Sequence, residues 1–152
     1  MEEPQTLVES KKEMVRVDHL IFVSLKYSRT VDVIKSVIKR LISTYEIAMR
    51  ALLENALEGE KLKQALHGPK TMRDAVNASY PEAKDYMEFY RFLRELDKAK
   101  VDARLNEFRR HVTLVAKIAN EPYYIKIETV EEYYEKTKKF IELAEKALQK
   151  KK

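Results

Sequence analysis

The sequence predicts a mainly α protein: an antiparallel helical bundle around one long central helix, with a small β-hairpin before the C-terminal helix. Three observations predict it. From Ile34 to Leu57 the apolar residues recur at i, i+3, i+4 and i+7, the signature of a helix with one buried face. The chain has only 2 Gly and 4 Pro, so breaks are few and each one is informative. Between Val112 and Ile127, β-branched and aromatic residues cluster on either side of Asn120-Glu121-Pro122.

The first helix is expected from about residue 8 to 27, with Met14, Val17, Ile21 and Leu25 on one face. Thr6-Leu7-Val8-Glu9 has the form of a capping box at its start. Tyr27-Ser28-Arg29 is a tight connection, so this helix folds back on the next. The central stretch runs from Thr30, a good N-cap, to Leu66, and at ~1.5 Å per residue it would be about 50 Å long. His67-Gly68-Pro69 ends it, and Thr71 to Ser79 makes a short helix closed by Tyr80-Pro81.

A helix resumes at Glu82 with Tyr86, Phe89, Tyr90, Leu93 and Leu96 inward. Val101, Leu105, Phe108 and Val112 keep helical spacing, but their stripe is rotated by about 140° from the previous one. A kink or loop at Asp97-Lys98-Ala99-Lys100 explains the slip, and one unbroken helix from Glu82 to Phe108 is the alternative. The segment from Val112 to Ile127 reads as the hairpin, with a helix extended to Ala119 as its rival. Thr129-Val130-Glu131-Glu132 opens the last helix, whose inward residues include Val130, Phe140, Ile141 and Ala144. No internal repeat or linker divides residues 1–152, which form one domain with residues 1–7 and 149–152 frayed.

With 45% apolar and 36% charged residues, the chain has the balance of a globular protein. The charged set is rich in Lys, Glu and Arg, as in heat-adapted proteins. There is no cysteine, hence no disulfide or thiolate chemistry, and a cytoplasmic location is expected. The first residues lack a signal-peptide pattern, and the longest apolar run, Leu20 to Val23, is too short to cross a bilayer, so no membrane partner is expected. Net charge of +5 makes RNA an eligible partner, although the same excess also describes a well-solvated surface.

Two glycines exclude a Gly-rich phosphate loop or a dinucleotide fingerprint. His19, His67 and His111 have no Glu three residues before them and form no His-x-x-x-His pair, so neither di-iron nor zinc ligation is visible. No metal or other cofactor is implied. One constellation remains, Arg104-Leu105-Asn106-Glu107-Phe108-Arg109-Arg110-His111. On a continuous helix Arg104 and His111 would share a face roughly 10 Å apart along the axis, with Glu107 one turn before His111 to orient the imidazole. An Arg that holds a phosphate and a His that moves a proton are a minimal kit for RNA cleavage through the 2′-hydroxyl. The structural reading is equally simple: a basic cluster suits a helix C-terminus.

In this layout the chain resembles the HEPN superfamily of small helical domains. The resemblance rests on an antiparallel helix pair, an Arg-x6-His motif at Arg104 and His111, and a terminal helix. It implies a metal-independent ribonuclease that works as a homodimer, with Arg104 and His111 as its catalytic residues. Leu105 departs from the polar residue that commonly follows the motif Arg.

Arg109, Arg110, Tyr123 and Tyr124 are the candidate nucleic-acid-binding residues, the tyrosines by stacking on unpaired bases. Tyr123-Tyr124 and Tyr133-Tyr134 also suit the edge of a core with their hydroxyls in water. Two classes of function remain open. One is an RNA-binding protein or ribonuclease, and the other is a non-catalytic helical module that pairs with itself or with another protein.

Overall fold

The computed structural model describes residues 5–149. The expected fraying of residues 1–4 and 150–152 lies outside them. Residues 5–7 are not frayed, because α1 (Gln5–His19) begins at Gln5 and buries Leu7 completely. Thr6 is therefore inside the helix rather than a cap, and its hydroxyl reaches Glu54 Oε1 at 3.4 Å.

The first rod continues from α1 through a π-helical turn, Leu20–Leu25, into α2 (Lys26–Ser28). Arg29 stops it in a left-handed conformation (φ 54°), with its N–H on Leu25 O at 2.8 Å. Thr30 then caps α3 (Val31–Ala56), its hydroxyl accepting from Val33 N at 3.3 Å. A two-residue corner between long rods that pack side by side makes them antiparallel, as the sequence predicts.

At 26 residues α3 is shorter than the expected Thr30–Leu66 span. Leu57 and Glu58 are extended and Gly59 has φ +62°, so α4 (Gly59–Ala65) is a separate short helix. The apolar period that defines α3 ends at this break. Beyond His67, α5 (Pro69–Ser79) starts with Pro69 in its first turn, where no N–H is needed. Tyr80 is buried and ties α5 to α3 through bonds to Asn55 Nδ2 (3.0 Å) and Leu52 O (3.3 Å).

After the 3₁₀ turn Pro81–Ala83, α6 (Lys84–Lys98) ends inside the polar segment flagged by the phase slip. The chain beyond it is extended rather than helical. β1 (Val101–Leu105), β2 (Thr113–Ile118) and β3 (Glu121–Ile125) form an antiparallel sheet in that order. The hairpin β2–β3 is the expected one, closed by Ala119 (φ 51°) and Asn120 (φ 67°) as a two-residue turn whose positive φ values match strand twist. Pro122 opposes Lys117, one step from the closing Ile118–Glu121 pair, where the missing N–H disrupts no ladder bond.

α7 (Ile127–Gln149) starts two residues before the predicted capping box. Thr129 acts backwards, accepting from Lys126 N at 3.1 Å.

The core centres on α3, with Leu41 and Leu52 fully buried. Tyr45 stacks on Phe140 of α7 (4.8 Å between centroids) and lies beside Tyr90 of α6 (5.9 Å). No described helix is long and apolar enough to cross a membrane.

Candidate nucleic-acid interface

The predicted site residues lie on the sheet and on the turn between β1 and β2, not on a helix. Successive side chains of β2 point to opposite faces, and Thr113 to Ala116 are all buried. Leu114 and Ala116 join the main core, whereas Val115 is buried but stands outside that cluster. The register puts Ala103, Val115 and Tyr124 in one row across the three strands, with Leu105 opposite Thr113 on the same outer face. Tyr124 is 57% exposed there and Leu105 41%.

The alternation also separates the paired tyrosines. Tyr123 lies on the inner side of the strand with its ring 5.2 Å from that of Phe92, yet remains 36% exposed. Tyr133 packs against Phe89 and Phe92, and Tyr134 meets Phe22 edge-on at 5.8 Å, both as core-edge residues. Burial pushes the Tyr133 hydroxyl up to about 12 and raises that of Tyr134 as well.

Arg104 lies on β1 opposite Leu114, on the inner side. Its guanidinium binds Asp32 Oδ1 at 3.0 Å and approaches Glu107 Oε1 at 3.7 Å. The bond to Asp32 holds its pKa above the usual guanidinium value. Glu107 does not orient His111. Its Oε2 instead accepts from Val31 N at 3.0 Å, capping the first turn of α3 from a position 76 residues further along the chain. The helical face expected to align Arg104, Glu107 and His111 is replaced by a strand and a turn. Arg104 is therefore paired with two carboxylates at the surface, and among the described residues Glu107 is turned to the start of α3 and not to His111.

The turn itself is tightly tied. Phe108 N donates to Arg29 O at 2.7 Å, Arg109 N to Asn106 O at 3.1 Å and Val112 N to Arg109 O at 3.0 Å. The His111 carbonyl accepts from Thr113 Oγ1 (2.8 Å) and Asn106 Nδ2 (3.4 Å). Asn106 (φ 54°) and Phe108 (φ 68°) are both left-handed. For a bulky Phe this costs about 1–2 kcal/mol, held in place by the surrounding bonds. The consequence is a Phe108 ring that is 76% exposed. Beside it Arg109, Arg110 and His111 are exposed, and neither Arg has an ion-pair partner among the described residues.

Phe108 is the residue that sequence reasoning missed, having read it as a member of an inward stripe. The turn-forming Asn106 and the polar run Arg109-Arg110-His111 were the signals against that reading. No group of His, Asp or Glu among the described residues is arranged to hold a metal. Comparison with protein-family models, curated proteins and solved structures finds no match to the chain.

Proposed function

We propose that the protein binds single-stranded RNA through the β1–β2 turn and the adjoining outer face of the sheet, and that it does so without cleaving it. The observation that carries this reading is the strained turn, which holds an exposed Phe108 beside Arg109 and Arg110, neither with an ion-pair partner among the described residues. Aromatic faces interleaved with free cations are what a single strand needs, since any base can stack and every phosphate attracts. Tyr124 offers a second exposed aromatic face on β3, the far edge strand of the sheet. Catalysis has no part in this reading, because Arg104 is held by Asp32 and Glu107.

Fluorescence anisotropy with a labelled single-stranded RNA over a range of salt tests the proposal. Binding should be measurable at low salt and weaken steeply as salt rises. Arg109→Ala should flatten the plot of log K against log salt by roughly 0.7–1 unit. Phe108→Ala should weaken binding about 5- to 150-fold at every salt concentration, with the slope unchanged. Absence of binding at low ionic strength would overturn the reading. A protein-interaction module would then stand instead, favoured by the exposed Leu105 and Tyr124 on the outer face.

A further inference from the structure

The corner between α2 and α3 and the β1–β2 turn form one continuous surface. Arg29 O, at the end of the first rod, accepts from Phe108 N at 2.7 Å. Two further links pin the same place: Glu107 Oε2 accepts from Val31 N (3.0 Å), and Arg104 binds Asp32 Oδ1 (3.0 Å). Tyr27 stands two residues before Arg29. Two residues of chain and one hydrogen bond therefore hold its Cα within about 14 Å of that of Phe108, short enough for one strand to reach both rings.

Tyr27 is 92% exposed, more than any other large apolar side chain among the described residues. Leu25, fully buried, anchors this end of the rod, and Tyr27 lies about 200° around the helix axis from it, facing solvent. Like Phe108, its ring meets no other ring and no cation among the described residues. Phe22 on the same rod is taken up by Tyr134 (5.8 Å) and by Lys26 (5.0 Å). A ring left this far in water adds little to the fold.

Charge completes the corner. Arg29 is half-buried, donates through Nε to Lys26 O (3.1 Å) and has no ion-pair partner among the described residues. The carboxylates nearby are each engaged: Asp32 by Arg104, Glu107 by Val31 N, and Glu131 by Lys26 at 3.2 Å. Tyr27, Arg29, Phe108 and Arg109 thus follow one another as ring, cation, ring, cation.

We infer, resting on the reading of the turn as an RNA site, that Tyr27 is a further stacking platform of that site. A bound strand then passes from the turn over the α2–α3 corner. Such a strand must be unpaired, because a duplex hides the base faces that both rings would take.

The chain has no tryptophan, so Tyr27→Trp creates a single reporter. Saturating single-stranded RNA of about 8 nucleotides at low salt should quench its fluorescence, while Glu88→Trp, at an exposed position on α6, stays unquenched. In the anisotropy measurement Tyr27→Ala should weaken binding about 5- to 150-fold with the salt slope unchanged, and Tyr27→Phe, which keeps the ring, should bind as the parent chain does. Both variants should unfold at the parent midpoint, since the side chain lies in solvent. Binding that Phe108→Ala weakens and Tyr27→Ala leaves unchanged would overturn this inference alone and leave the RNA reading standing. An unquenched Trp at position 27, or a loss that Tyr27→Phe does not restore, would overturn the stacking role as well. No binding by the parent chain would overturn both.

Discussion

Glu107 and Tyr45 show how single side chains set the properties of this fold. Glu107 satisfies Val31 N at the start of the central helix while holding the strained turn against it. Glu107→Ala should cost roughly 1 kcal/mol, as other lost helix caps do, and raise amide exchange at both Val31 and Phe108. Exchange raised at Val31 alone would show that the turn does not depend on the cap.

The buried Tyr45 hydroxyl has Thr137 as its polar neighbour but makes no hydrogen bond of good geometry among the described residues, while Thr137 gives its own proton to Tyr133 O (2.8 Å). Tyr45→Phe should be neutral or stabilise by up to about 1 kcal/mol, measured by the midpoint of chemical unfolding. Loss of stability would mean that the hydroxyl is satisfied.

Burial also raises the hydroxyls of Tyr45 and Tyr90, and Tyr133 titrates at about 12. Below pH ~10 these groups are protonated in both states, so they contribute no pH dependence. Above it the unfolded chain ionises first, and stability should fall as pH rises towards the folded values. Tyrosinate absorbance of the folded protein should therefore lag that of the unfolded chain. Coincident titration of all 9 tyrosines would contradict the burial described.

At the scale of elements, those with a strong local period were legible and those made by distant pairing were not. α3, α6 and α7 each present a long apolar stripe, and the hairpin carries β-branched runs around a turn signal. β1 reads Val-Asp-Ala-Arg-Leu, a sequence with little strand preference of its own. It is a strand because β2 offers an edge, and its spacing mimics a helical stripe by coincidence. The same coincidence put Arg104 and His111 on one helical face. Their basic character was legible, while their geometry depended on β1.

The stripe of α3 gives the element-scale prediction. Leu41→Ala or Leu52→Ala should cost about 2–5 kcal/mol in chemical denaturation, against little for the exposed Glu54→Ala. Equal effects would place the wrong face inward.

At the scale of the whole molecule, the bundle separates its charge. A groove of about 670 Å³ between α6 and α7 is lined by Glu82, Asp85, Glu128, Glu131, Glu132 and Glu135, with only Lys136 and Lys139 to offset them. Phosphates are repelled there, whereas the β1–β2 turn presents the exposed Arg109 and Arg110 beside an aromatic ring. The net charge in the sequence allows an anionic partner, and in the proposed reading the turn is where Arg109 and Arg110 meet it. Titrating a short single-stranded RNA into the labelled protein at low salt, with backbone amide shifts followed by NMR, tests the central claim most directly. The account predicts shifts concentrated at residues 105–111 and around Tyr124, with the acidic groove silent. Shifts centred elsewhere, or none at saturating RNA, would contradict it.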